Sequence, residues 1–255
     1  MATKPSVVVF PGAFHPASCM DAFVASLRAA GFPAEAHTLR SVGNPEMVVA
    51  DDEAYMRSVM NPLIDAGKDV LLIVHSFAGF PGCSAISGID KRGREAGGQK
   101  GGVLGVIYLA AFVPLEGDSV YKLLQNNWEP WMDVNEQEQL IGTKDQANTF
   151  FNDCTSEQAT ATTMTLKAHS MKALKGDHAS PKNIGWREAG YNGRRAYIRC
   201  TKDNALPLPG QIMFTERTGV EWVIRTLEAS HSPFLSMPDA TAKVVEELAS
   251  QFLAA

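Results

Sequence analysis

The chain has 255 residues and a hydrophobic content of 45%, which suits one α/β domain with a single large core and leaves no need for a second domain. Its net charge of −5 offers no basic face, so we expect neither a nucleic acid nor a membrane as partner. The four cysteines and six histidines are scattered without the spacing of a metal site, so we expect no bound metal.

No stretch approaches the roughly 20 apolar residues that a membrane helix requires. The apolar run near the N-terminus is also too short for a signal-peptide core. A soluble cytoplasmic protein is therefore expected.

Apolar runs alternate with helical segments along the first part of the chain. Strands are predicted at residues 7–10, 34–39, 70–75 and 103–110, and helices at about 18–30, 50–66 and 77–88. Strands separated by helices form a parallel sheet covered on both faces. Residues 87–102 are rich in glycine and predict an exposed loop between the last helix and the last strand.

The loop after the first strand reads Pro11-Gly12-Ala13-Phe14-His15. Gly12 permits close backbone approach and is a candidate substrate-binding residue, and the Ala13 amide is a candidate donor to an oxyanion. A plain turn from strand to helix is the alternative interpretation.

A serine stands where an apolar strand turns directly into a helix, in the run His75-Ser76-Phe77-Ala78-Gly79. This position is typical of a nucleophile elbow, in which the amide of the next residue, Phe77, is a second oxyanion donor. Taken alone, a serine in this position is more often a helix N-cap than a nucleophile. The usual glycines on either side are replaced by Val74 and Ala78, so we expect a slightly opened elbow.

The regular alternation stops between about residues 113 and 186. An insertion at this point predicts a cap over the serine. Its apolar residues either line a substrate pocket or pack the cap onto the core, and the candidates for the pocket are Trp128, Trp131 and Met132.

Two later strands end at an acidic residue and a histidine. Asp203 follows the strand-like run 196–200, and His231 follows the run 221–227. Alone, Asp203 suits a turn before Pro207, and His231 suits a surface loop. Together with Ser76 they follow the chain order nucleophile, acid, histidine at the carboxyl ends of strands, which predicts a catalytic triad.

These residues resemble the small α/β-hydrolases related to plant methylesterases, the salicylate-binding esterase and hydroxynitrile lyases. The resemblance rests on the elbow, the acid loop 201–207 and the loop around His231, and it is weakest across residues 115–190. It implies one α/β-hydrolase domain over residues 1–255, with a mostly parallel sheet and a helical cap. Cyanohydrin-cleaving members carry a Thr near the position of Gly12 and a Lys directly after the histidine, where this chain has Ser232.

The sequence therefore predicts a serine hydrolase without metal or organic cofactor that cleaves a small hydrophobic ester or lactone through an acyl-enzyme. Two alternatives stay open. One is a non-hydrolytic enzyme on the same site, such as a lyase or a dehydrating or cyclising enzyme of secondary metabolism. The other is a relative that binds a small ligand with little turnover.

Overall fold

The computed structural model describes residues 4–176 and 183–255, and residues 177–182 of the predicted cap lie outside this part. The described strands are β1 (Ser6–Phe10), β2 (Ala34–Ala36), β3 (Asp69–His75), β4 (Gly102–Leu109), β5 (Met132–Asn135), β6 (Leu140–Thr143), β7 (His169–Ser170), β8 (Arg195–Cys200) and β9 (Val223–Leu227). Six of them form a central sheet in the order β2-β1-β3-β4-β8-β9, and every neighbouring pair is parallel. The predicted α/β-hydrolase fold is confirmed.

Helices cover both faces of this sheet. They are α1 (Asp21–Ala29), α2 (Val49–Asp65), α3 (Gly79–Ala85), α4 (Lys91–Ala96), α5 (Val120–Leu123), α6 (Gln146–Phe150), α7 (Ser156–Thr163), α8 (Met171–Lys175), α9 (Leu208–Glu216), α10 (Pro233–Ser236) and α11 (Pro238–Ala254). Helices α1 and α11 pack against each other on one face, and α2 and α3 pack together on the other. None of the helices in the described part is long and apolar enough to cross a membrane.

The strands read as continuous apolar runs because both of their faces are buried. In β1, Val7 and Val9 face the core under α1 and α11, whereas Val8 and Phe10 face the opposite core. All five β1 residues are buried.

The strand register brings four strand ends to one edge of the sheet. Phe10 pairs with Val74, and Cys200 at the end of β8 pairs with Leu227 at the end of β9. Because carboxyl ends of parallel strands share an edge, the loops after β1, β3, β8 and β9 meet there.

The insertion between β4 and β8 forms the cap. Besides short helices it contains an antiparallel sheet in the order β5-β6-β7, which the predicted helical cap did not include. Each of these strands has at most four residues and buries only one or two side chains, such as Met132 and Ile141, so their sequences look like polar loops.

The glycine-rich stretch predicted as a loop contains helix α4. The Asp90 carboxylate caps this helix by accepting from the Gly93 amide at 2.7 Å. Lys91 forms an ion pair with Asp69 at 2.5 Å, which ties α4 to the start of β3. The helix N-cap Asp90 and the ion pair of Lys91 stabilise a helix in a segment whose composition favours a loop.

Candidate active site

Ser76 lies at the turn between β3 and the first helical turn after it. Its φ is +53°, a left-handed conformation that is costly for a residue with a side chain. The Phe112 amide donates to the Ser76 carbonyl at 3.2 Å and holds the turn from the neighbouring strand end. Strain of this kind is stored at functional sites, and here it presents the serine at the edge of the sheet.

The bulky Val74 does not open the elbow. It keeps the strand register with Phe10 and Tyr108 and is fully buried. Gly82 in α3 leaves space for it, because a Cβ at position 82 would lie 2.5 Å from Val74 Cγ1. The usual elbow has a glycine two residues after the serine, where this chain has Ala78. Here Gly82, one helical turn later, makes the space, so the expected opening is avoided.

Asp203 begins the loop after β8 and is only 5% exposed. Its Oδ1 accepts from the amides of Ala205 at 2.9 Å and Leu206 at 2.8 Å, which is the turn-forming role considered from sequence. Its Oδ2 lies 2.7 Å from His231 Nδ1. One oxygen therefore shapes the loop while the other holds the histidine.

His231 lies in the base loop, residues 228–232, which joins β9 to α10. The side chain is 2% exposed, so it is not a surface-loop histidine. Since a carboxylate only accepts hydrogen bonds, His231 Nδ1 carries the proton towards Asp203, and Nε2 is left with its lone pair. His231 and Ser76 line the same cavity.

Gln211 of α9 braces the acid loop, a role that the sequence did not indicate. Its Nε2 donates to the carbonyls of Cys200 at 2.9 Å and Leu206 at 2.7 Å, and to Asp203 Oδ2 at 3.3 Å. Its Oε1 accepts from the Cys200 amide at 2.9 Å. A glutamine in a helix after a proline-rich turn carries no sequence signal for this position.

The cap holds the base loop from the other side. Asp153 Oδ2 accepts from the Ser230 amide at 2.9 Å and from the Ser236 hydroxyl at 3.0 Å. The Ser230 hydroxyl donates to the Phe150 carbonyl at 3.1 Å. The position of His231 therefore depends on the cap as well as on the sheet.

The oxyanion loop, residues 11–15, packs directly on the elbow. A Cβ at Gly12 would lie 2.5 Å from Ser76 Cβ and 3.0 Å from the Phe77 nitrogen, so only glycine fits there. Ala13 and Phe77 both line the cavity beside Ser76. Within residues 4–176 and 183–255 their amides donate to no other group, so both are free to meet a developing oxyanion.

His15 stabilises the shape of this loop. Its Nδ1 donates to the Ala13 carbonyl at 2.8 Å, next to Phe14, whose φ of +71° is also left-handed. Burial is the main cause that lowers the pKa of His15 to about 4, and the neighbouring His231 lowers it further. His15 is therefore neutral at physiological pH.

The shared cavity encloses about 650 Å³, including its open mouth. Apart from Ser76, His231 and Glu129, the residues that line it are apolar: Ala13, Phe14, Phe77, Phe112, Val120, Leu124, Trp131, Met132, Phe150, Leu174, Ala205, Leu206 and Pro207. Its apolar lining is typical of a pocket for a small apolar molecule.

The sequence pattern of the alpha/beta hydrolase family matches residues 7–244. The chain belongs to this family. The resemblance to the plant methylesterase group is confirmed as well, since this alpha/beta hydrolase is 25% identical to a putative methylesterase from Arabidopsis thaliana, with 97% of this chain and 64% of the relative covered.

Three similar proteins illustrate the range of this family. "Probable hydrolase R7" from Phoma sp. is 28% identical, with 97% of this chain and 99% of the relative covered. Norfluorocurarine synthase 2 from Strychnos sp. is 25% identical, with 94% of each chain covered. The crystal structure of a methylesterase from Arabidopsis superposes with a TM-score of 0.70 at 20% identity, covering 96% of this chain and 99% of that one.

Two of the four predicted substrate-binding residues line the cavity of this alpha/beta hydrolase. Trp131 and Met132 are part of the lining. Trp128 is not, and its ring lies 4.5 Å from that of Tyr121 instead. Gly12 is not part of the lining either, and it packs against Ser76 instead. The sequence did not separate these roles because all three cap residues are apolar and close in the chain.

Proposed function

We propose that this protein is a serine esterase that hydrolyses small, apolar carboxylic esters or lactones through an acyl-enzyme on Ser76. The observation that carries the proposal is that His231, held by Asp203 at 2.7 Å, lines the same apolar cavity as Ser76, which lies at a left-handed turn. A paired histidine and a nucleophile in one pocket support acyl transfer.

His231 Nε2 accepts the Ser76 hydroxyl proton as the oxygen attacks the substrate carbonyl. The amides of Ala13 and Phe77 stabilise the resulting oxyanion, and loss of one such donor typically costs about 3 to 4 kcal/mol in the transition state. As the C–O bond breaks, His231 returns the proton to the leaving alcohol, and Asp203 holds the imidazole in place. Water then repeats the sequence on the acyl-enzyme and releases the acid.

The surroundings of His231 favour ester hydrolysis over cyanide release. The next residue is Ser232, which is fully buried, and it offers no positive charge to a departing anion. The tight contact of Gly12 with Ser76 also leaves no room for a Thr side chain there. The apolar lining supports substrates with a hydrophobic acyl or alcohol group.

A non-hydrolytic reaction is the second candidate, and one relative favours it. Norfluorocurarine synthase 2 carries a synthase name, and the match to it covers 94% of each chain. On this alternative His231 moves protons to and from a substrate without net addition of water. A relative that binds a small ligand with little turnover is a third candidate, and the space that Gly82 leaves for Val74 weakens the argument for it.

A covalent serine probe tests the proposal. We expect a fluorophosphonate to label Ser76, as mapped on peptides, and Ser76→Ala to lose labelling and at least ~10³-fold of the activity on a small activated ester. Ser84→Ala, a change at a buried serine of α3, is the matched control and should keep both. Analysis of the products for acid and alcohol separates hydrolysis from the synthase alternative. Absence of labelling together with absence of turnover on an ester and lactone panel would contradict the proposal.

A further inference from the structure

His75, the residue before the candidate nucleophile, has both ring nitrogens engaged with loops that come from other strands. The Gly12 amide donates to His75 Nδ1 at 3.2 Å. His75 Nε2 lies 3.0 Å from the carbonyl oxygen of His231. The side chain is fully buried, so water does not compete for these contacts.

The two partners determine the tautomer of this imidazole. A backbone amide can only donate and a carbonyl can only accept, so Nδ1 carries the lone pair and Nε2 carries the proton. Burial is the main cause that lowers the pKa of His75 well below its ordinary value, and the facing rings of His231 and His15 add to the effect. The ring therefore stays neutral while His231 gains and loses a proton.

The geometry points to His75 as the positioning residue that joins the oxyanion loop to the base loop. This inference rests on the proposed function. Gly12 precedes Ala13, one proposed oxyanion donor, and the His231 carbonyl belongs to the proposed base. His75 itself is covalently bonded to Ser76. One neutral ring thus sets the relative positions of the nucleophile, the oxyanion donor and the base. Its partner Gly12 is 63 residues away from His75 in the chain, and its partner His231 is 156 residues away.

The ring is also held from its sides. The His231 ring centroid lies 4.5 Å away and the Phe234 ring centroid 5.0 Å away. The His15 ring, which is also titratable, faces it at 5.8 Å. Because packing fixes the imidazole plane, its two hydrogen bonds transmit the position of one loop to the other.

Substitutions can separate the two hydrogen bonds. Asn ends at the depth of Nδ1, so His75→Asn keeps an acceptor for the Gly12 amide and loses the contact to His231. Gln reaches the depth of Nε2, so His75→Gln keeps a donor for the His231 carbonyl and frees the Gly12 amide. His75→Leu removes both contacts at similar volume.

We expect His75→Leu to lower kcat about 30-fold or more on a neutral ester while KM stays within about threefold of the wild-type value. The reason is that the change displaces hydrogen-bond donors to the transition state and leaves substrate binding in the ground state intact. His75→Gln should lower kcat about 10-fold without changing the pH profile. His75→Asn should move the apparent pKa of the kcat/KM profile by ~0.5 unit or more, since the base loop is released. Leu248→Ala is the control for loss of stability alone, because Leu248 is a buried residue of α11 that does not line the cavity.

A measurement without turnover tests the same inference. In wild-type protein with ¹⁵N-labelled histidine, His75 assigned through its backbone should show the neutral Nε2–H form at every pH from 5 to 8. A His75 that titrates in this range, or that carries its proton on Nδ1, would overturn the inference. A His75→Leu variant whose kcat stays within threefold of wild type would also overturn it. The same holds if Leu248→Ala and His75→Leu have equal melting temperatures and lose kcat to the same extent. If no ester is cleaved and Ser76 resists the probe, the proposed function fails, and the histidine spectra still decide the role of His75 in holding the two loops.

Discussion

The side chain of Val74 fills the space beside Gly82, where a Cβ would come within 2.5 Å of Val74 Cγ1. Both residues are buried between β3 and α3. The elbow therefore accepts a large residue on the strand because the facing helix position has no side chain. This reverses the usual arrangement, in which the small residue is on the strand.

This complementarity predicts a coupled pair of substitutions. Gly82→Ala should destabilise the protein by about 1 to 3 kcal/mol through overpacking, and Val74→Ala by about 2 kcal/mol through a cavity. The double variant should cost at least about 1 kcal/mol less than the sum, as measured by denaturant unfolding. Gly210→Ala in α9 is the control, since no atom approaches closer than 4.0 Å, and it should be neutral or stabilising. Strict additivity of the pair would contradict the packing argument.

Substitution of Asp203 should mainly lower activity, whereas substitution of Gln211 should mainly lower stability. Asp203→Asn should lower kcat by about 10³ to 10⁴-fold, because the amide no longer selects the His231 tautomer. Gln211→Leu leaves the Cys200 amide and two carbonyls without their partners, so it should cost about 2 to 4 kcal/mol in unfolding free energy with a smaller loss of kcat. The check is kcat and urea unfolding on both variants. A Gln211→Leu protein of wild-type stability would show that the brace is not important.

The two cap tryptophans should differ in their effect on substrate choice. Trp131→Ala enlarges the cavity and should change the preference among esters of increasing acyl length by about tenfold or more in kcat/KM. Trp128→Ala is the matched control, because its ring packs on Tyr121 outside the lining. It should leave the order of preference unchanged. Equal changes in both variants would mean that the cap acts as a whole.

Buried neutral histidines predict loss of stability in mild acid. Burial lowers the pKa of His15 to about 4 and that of His169 to about 3, below the value of 6.5 for a free histidine. Since the unfolded chain then binds more protons than the folded one, stability is full above about pH 6.5 and falls as the pH drops towards these values. Asp52 opposes this, because burial raises its pKa to about 6 and its contribution improves as the pH falls below that value.

His169→Leu isolates one of these groups. Neither of its ring nitrogens has a hydrogen-bond partner within the described residues, so the change should cost little at pH 7. The loss of unfolding free energy between pH 7 and pH 5 should shrink by about 1 to 2 kcal/mol relative to wild type. Urea unfolding at the two pH values measures it. An unchanged difference between the two pH values would show that His169 takes up its proton in the folded protein as readily as in the unfolded one.

Gly12 should tolerate no side chain. Gly12→Ala places a Cβ against Ser76 and the His75 carbonyl, at 2.5 Å and 2.9 Å in the present geometry, so the oxyanion loop must move. We expect at least ~100-fold lower ester hydrolysis, in line with displacement of an oxyanion donor. Hydrolysis rates and probe labelling of Ser76 measure this. Near wild-type rates would mean that the Ala13 amide does not act on the reaction.

Local patterns in the sequence determined the fold class and the candidate triad. Apolar strands buried on both faces read as continuous runs, and polar residues directly after them mark the carboxyl edge of a parallel sheet. Ser76, Asp203 and His231 were found in this way, each from a few neighbouring residues. The oxyanion candidates Ala13 and Phe77 followed from the same turns.

The tertiary structure alone decided which distant residues hold these groups. The contacts of His75 with His231, of Asp153 with Ser230 and of Val74 with Gly82 join residues on different elements, and no local pattern encodes such partners. It also decided that Trp131 faces the cavity and Trp128 does not, because the Trp131 ring packs on Phe14 and Phe150 of the lining, whereas the Trp128 ring packs on Tyr121. Periodicity reports which face of an element is buried, whereas the partner across that face depends on how the whole chain packs.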